Sequence, residues 1–279
     1  SKFIWQLFDH ISIGLFRFTT IFFILIFKFS LIFLSYLLTK FLYLDNFYKK
    51  IFFLFNSVIF LSLTEYNSPN MSISFRDLPV VIFFILFICL FFEKNQTLVL
   101  FLISSLSILS MLWGIDRGLI CNLLIIIIFL HLFCLGDYKK FFTLLLFISF
   151  FWVLFYFMLG NEFSYFINNT ISVYKEMSYV NGLIHPRPFS DEPNAGRATK
   201  TLISIIICLL ISFSLIFKSN NKFSISFKNV MFFLAIMAFG SYLYALGRSD
   251  GPHIKHSFGF PIMFLSIFFS YLVIFKISK

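Results

Sequence analysis

Charge is scarce in this sequence. Only 12% of its 279 residues are Asp, Glu, Lys or Arg, about half the share of an ordinary soluble domain. No soluble core could hide its 47 phenylalanines, so the medium that buries them is lipid. No two of the four cysteines, Cys89, Cys121, Cys134 and Cys208, form a CxxC pair. All four sit inside apolar runs and read as small packing residues, silent about redox compartment. A P-loop, a GxGxxG turn and a GxSxG elbow are also missing, which disfavours nucleotide-driven and serine-hydrolase chemistry. No basic run interleaved with aromatics points to nucleic acid. The first residue is Ser1, and no cleavable signal with a small-residue cleavage site is visible. We therefore read the chain as an N-terminally truncated single transmembrane domain over 1–279.

What is present is a series of apolar runs of bilayer-crossing length. They cover 18–39, 51–64, 78–92, 97–113, 118–135, 141–160, 201–217, 230–247 and 259–276, the second being the weakest. The expected fold class is an all-α, polytopic helical membrane bundle of about nine transmembrane helices, with one long outer loop over 161–200.

The net charge is +10, and its distribution assigns sides. Alternate loops carry Lys40, Lys49, Lys50, Lys94, Lys139, Lys140, Lys218, Lys222, Lys228, Lys276 and Lys279, against Asp45, Glu93 and Asp137. The other loops balance cations with acids, among them Glu65, Asp77, Glu162 and Glu176. Lysine near span ends marks the cytoplasmic side, so the C-terminus is expected inside. Every cytoplasmic cation is Lys, whereas five of the six arginines, Arg76, Arg117, Arg187, Arg197 and Arg248, fall outside. The guanidinium fork suits bidentate phosphate or carboxylate binding, and a lysine ammonium is a point charge. The outer side therefore reads as a site.

Three outer segments carry the chemistry. Trp113-Gly-Ile-Asp116-Arg117-Gly118 is a tight turn; its acid and base either pair locally at the helix ends or face a polar substrate. The end of the long loop carries His185, Arg187, Asp191, Glu192, Asn194, Arg197, Thr199 and Lys200 among three prolines. It reads as a stiff anion site at a helix start, or as a solvated loop. The third segment, Tyr244 to His256, holds Arg248, Asp250, His253 and His256. Asp250 and His253 can form an acid–base pair; a zinc set with His256 is weakly supported, and a plain polar turn remains open. No metal is assigned; the cofactor stays unknown, with no nucleotide motif present and a divalent metal left open.

The Trp-x-x-Asp-Arg-Gly turn, the Pro-Phe-Ser-Asp…Arg-Ala-Thr-Lys segment and the late Gly-Arg-Ser-Asp-x-x-His loop resemble bacterial polytopic envelope-glycan proteins. These are the lipid-linked-sugar transferases of GT-C type and the O-antigen polymerases and ligases; the resemblance covers about residues 105–276. The acidic first outer loop typical of GT-C enzymes and a clean ligase signature in the last third are absent. The resemblance implies a polyprenyl-phosphate-linked sugar donor, membrane lipid and no nucleic acid as partners, and the bacterial inner membrane as location. It implies substrate binding by Asp116, Arg117, His185, Arg187, Arg197, Lys200 and Arg248, and catalysis by Asp250 with His253, Asp191 or Glu192. The rival classes are a transporter or flippase, which would carry ionisable groups and inverted repeats within the membrane, and a non-catalytic envelope-assembly subunit.

Overall fold

The computed structural model describes residues 13–42, 45–64, 73–176, 187–193, 195–217, 223–246 and 257–277. Among these residues there is no strand, and each of the nine apolar runs is helical. The helices are α1 Ile13–Thr39, α2 Asn46–Ser62, α3 Leu78–Cys89, α4 Gln96–Trp113, α5 Ile115–Cys134, α6 Tyr138–Leu159, α7 Glu162–Lys175, α8 Ala195–Phe217, α9 Ile225–Leu246 and α10 Gly259–Ile277. Seven of them (α1, α4, α5, α6, α8, α9 and α10) are long and apolar enough to cross a bilayer. The chain is a multi-pass helical membrane protein.

The two remaining runs are shorter than a standard span. Helix α2 has 17 residues and α3 only 12. Helix α3 is extended by tighter turns at both ends. A 3₁₀ turn, Phe75–Asp77, leads into it, and Pro79 sits in its first turn. At its far end Phe91 N–H donates to the Ile88 carbonyl and Phe92 N–H to Cys89, each at 3.1 Å. A 3₁₀ turn rises more per residue than an α turn, so Phe75 to Phe92 reaches about 30 Å.

The segment expected to be a 40-residue loop is also partly helical. Helix α7 occupies its first third, and α8 starts at Ala195, before the apolar run does. Phe163 and Phe166, three apart, place two rings on one face of α7. They pack on Tyr156 and Phe155 of α6 with ring centroids 5.2 and 5.1 Å apart. Asn168 and Ser172 lie exposed on the other side, which masks the helix in any search for apolar runs.

Helix α3 is the centre of the bundle, buried along nearly its whole length against α1, α4, α5 and α9. Helix α9 also packs on α8 and α10, and α10 returns to α2. Helix α6 is held mainly by α4 and α5, and its stripe Phe142, Leu146, Phe150, Val153 and Phe157 faces lipid.

Apolar burial does not drive helices together in lipid, so close packing and interhelical hydrogen bonds must do so. Where α4 meets α5, Gly118 has no side chain; a Cβ there would lie 2.6 Å from the Met111 Cα. Beside it Ser107 Oγ donates to Asn122 Oδ1 at 2.7 Å, and Trp152 Nε1 of α6 donates to Ser107 Oγ at 2.9 Å. Asn122 Nδ2 donates back to the Ser107 and Gly118 carbonyls at 3.0 and 2.9 Å. Helices α5 and α6 are joined by a Schellman turn. Gly136 (φ 71°) donates to the Phe133 carbonyl and Asp137 N–H to that of Leu132. Asp137 then caps α6, accepting from Lys140 N–H at 3.3 Å; the Lys140 side chain also holds its carboxyl below the usual range.

A second polar knot ties α2 to α10. Ser266 Oγ donates to Asn56 Oδ1 at 2.6 Å, and Asn56 Nδ2 donates to Ser270 Oγ at 3.0 Å. Nearby, Ser35 Oγ of α1 donates to the Phe53 carbonyl at 3.0 Å. That carbonyl is the one Ser57 would ordinarily use, and the buried Ser57 hydroxyl is left without an acceptor. Asn56→Ala is expected to cost about 1 kcal/mol, the scale of an interhelical hydrogen bond in a membrane. Thermal unfolding in detergent measures it; an unchanged midpoint would mean the knot adds nothing to stability.

Candidate functional site

The Gly114 turn joins α4 to α5 without a spare residue. This places Asp116 and Arg117 in the first turn of α5, where they meet the 3₁₀ turn before α3. Arg117 is 5% exposed. Its Nε donates to Asp77 Oδ1 at 2.9 Å, and its Nη1 donates to Asp116 Oδ2. The other oxygen of Asp77 accepts from Ser74 N–H at 2.9 Å, closing a capping box around the 3₁₀ turn. Trp113 adds a tie next to it: its Nε1 donates to the Arg76 carbonyl at 3.1 Å, and its ring meets Phe23 of α1 edge-on at 5.0 Å.

Of the two readings open for the turn, the structure places the pair in a buried ion cluster. The guanidinium points into the bundle and spans two carboxylates. Asp77, which lies 40 residues away in sequence, is the site residue that sequence reasoning missed. Its one visible signal was that it falls on the same side as Arg117 in the alternation of loops.

The second group stands at the head of α8. The spanning helices α5 and α6 separate it from the Gly114 turn, an even number, so the chain returns to the same end of the bundle. Glu192 folds back and staples this segment. Its Oε2 accepts from Arg187 N–H at 2.9 Å, and its Oε1 lies 3.9 Å from Arg187 Nε. Ser190 Oγ donates to the Arg187 carbonyl at 2.8 Å. Phe189 sits at the tip with φ 64°, and its N–H donates to Thr199 Oγ1 at 2.8 Å. Thr199 Oγ1 in turn donates to the Ala195 carbonyl at 2.8 Å. The staple thus fastens the turn onto α8.

The result brings Arg187, Asp191, Arg197 and Lys200 together, all exposed, at one helix head. It also separates the roles of the two adjacent acids. Glu192 is engaged with Arg187, whereas Asp191 faces solvent. Thr199, expected as part of an anion site, spends its hydroxyl on holding Phe189.

His185, Asn194, Arg248, Asp250, His253 and His256 lie outside the described residues. Among the described residues no three His, Cys, Asp or Glu side chains are grouped to hold a metal ion. No known protein family, no curated protein and no solved structure matches this chain.

Proposed function

We propose that the chain is a glycan transferase or polymerase of a bacterial cytoplasmic membrane. It crosses the membrane nine times with its C-terminus inside, and works at the outer face on a polyprenyl-phosphate-linked sugar. The stapled segment at the head of α8 carries this reading. It presents three exposed cations and one exposed acid, Asp191, where a spanning helix meets the headgroups. A lipid-linked donor holds its phosphate at that depth, because its polyprenyl chain lies in hydrocarbon.

The chemistry needs two things from the protein. Arg187, Arg197 and Lys200 neutralise the phosphate that leaves with the lipid. A carboxylate, Asp250 or Asp191, takes the proton from the acceptor hydroxyl as its oxygen bonds to the anomeric carbon and the bond from that carbon to the phosphate oxygen breaks. Glu192 serves as the staple, and Arg117 with Asp77 and Asp116 sets the height of α5 beside the site.

The lysine bias supports the orientation. Reporter fusions at Gly182 and Asn220 are expected on opposite faces, with Asn220 cytoplasmic; cytoplasmic signal at Gly182 reverses the topology. For the activity, purified protein in nanodiscs is given a polyprenyl-diphosphate sugar and a sugar acceptor. Loss of a general base lowers rate about a hundredfold or more. Asp250→Asn is expected to do so, and Asp191→Asn is the next test. Full transfer in both variants removes the enzyme reading and favours a transporter or an assembly subunit.

A further inference from the structure

We propose that Phe189 is a membrane-interface anchor: its ring seats between headgroups and acyl chains at the N-terminal end of α8, and the Thr199 hydroxyl holds it there. The inference stands apart from the glycan reading and uses only the position of one residue relative to a spanning helix.

Helix α8 is two-faced. Thr201, Ser204, Ile205, Cys208, Ser212 and Leu215 are buried. Ile203, Ile206, Leu210, Phe213 and Phe217 are exposed. The exposed set steps by three or four residues, so it forms one stripe facing lipid. Extended one step toward the N-terminus, that stripe arrives at Thr199. Phe189 is bonded through its N–H to Thr199 Oγ1, so it sits at the head of the lipid-facing stripe and away from the side packed on α9 and α10.

Its depth follows from the same helix. With 23 residues, α8 is about 34 Å long at the standard rise and outruns a hydrocarbon layer of about 30 Å. The apolar run begins only at Thr201, so the six residues before it, with the exposed Arg197 and Lys200, lie toward the headgroups. Phe189, tied to Thr199, therefore lies at headgroup level. There the ring is 72% exposed on a backbone held at φ 64°, where side chains other than Gly, Asn and Asp are uncommon. A large apolar ring held out at this depth beside cations suits the headgroup–acyl boundary, where aromatic rings and basic residues collect.

The test is a tryptophan at this position. Phe189→Trp keeps an aromatic ring at an exposed site, and the full chain is placed in nanodiscs. Emission above the wild-type background is expected to be blue-shifted from that of a water-exposed indole. Lipids brominated near the headgroup should quench it at least twofold more than lipids brominated near the chain end or aqueous iodide. Adding Thr199→Val, which removes the acceptor and keeps the shape, should cut the shallow-lipid quenching at least twofold. Emission quenched by iodide alone overturns the anchor and makes the ring a solvent-facing platform. Emission quenched by neither class of agent means that protein covers it, which also overturns the proposal. Unchanged quenching with Thr199→Val overturns the role of the hydroxyl.

Discussion

Arg117→Ala is expected to lose most of the folded protein. Removing one partner of a buried ion pair leaves uncompensated charge, at about 3–5 kcal/mol. Total stability of a domain is commonly about 5–15 kcal/mol, so the loss is a large fraction of it. Here one guanidinium serves two carboxylates, Asp77 and Asp116, and both are left behind. Asp77 keeps its bond from Ser74 N–H, which places the cost mainly on the faces toward α5. Arg117→Lys should fall between, because a lysine ammonium lacks the fork that reaches two acids at once. A triple variant, Asp77→Asn with Asp116→Asn and Arg117→Met, removes every charge and should recover much of the loss. Thermal unfolding in detergent micelles, followed by the monodisperse fraction on gel filtration, orders the four proteins. A wild-type midpoint for Arg117→Ala would show that the cluster does not hold the bundle together.

Gly118→Ala is expected to be nearly as damaging, by steric rather than electrostatic means. The added Cβ would sit 2.4 Å from Met111 Sδ and 2.6 Å from Met111 Cα. The sulfur can rotate away, but the backbone cannot, so α4 and α5 must separate. We expect about 3 kcal/mol, the upper end of the usual cost of overpacking, and more with valine. The separation would also stretch the two bonds between Asn122 and Ser107, and with them the Trp152 contact. A control lies on α9, where a Cβ at Gly240 would meet Ile120 at 3.5 Å, an ordinary contact. Gly240→Ala should therefore stay within about 1 kcal/mol of wild type. Equal melting of the two alanine variants would rule out the close approach of α4 and α5.

The helices were legible because lipid imposes a simple rule. Each needs a run of apolar residues, and a run such as 97–113 differs from α4 only at its first residue. What hydropathy could not convey was how α3 makes up its length, because a 3₁₀ turn leaves no mark in apolar content. Helix α7 was hidden for the opposite reason. It is half polar, and its signal was the Phe163–Phe166 spacing rather than any run. The site was legible by residue type and illegible by partner. Asp116 and Arg117 are neighbours in sequence, but the decisive contact is to Asp77, set by how α3 and α5 pack. Likewise nothing in adjacency distinguishes Asp191 from Glu192; the fold does, by turning Glu192 back onto Arg187.

The knot between α2 and α10 has a consequence for the order of synthesis. Asn56 finds Ser266 and Ser270 at separations of 210 and 214 residues. During translation α2 enters the membrane long before α10 exists. At about 5–20 residues per second, the Asn56 side chain waits on the order of ten seconds or more for these two hydroxyls. Until then Asn56 lacks both serine partners, and of the bonds its Nδ2 makes in the finished fold only the one to the Phe52 carbonyl lies within α2. A chain that stalls before α10 therefore keeps an amide whose interhelical partners have not been made, and the knot can close only as the last helix arrives.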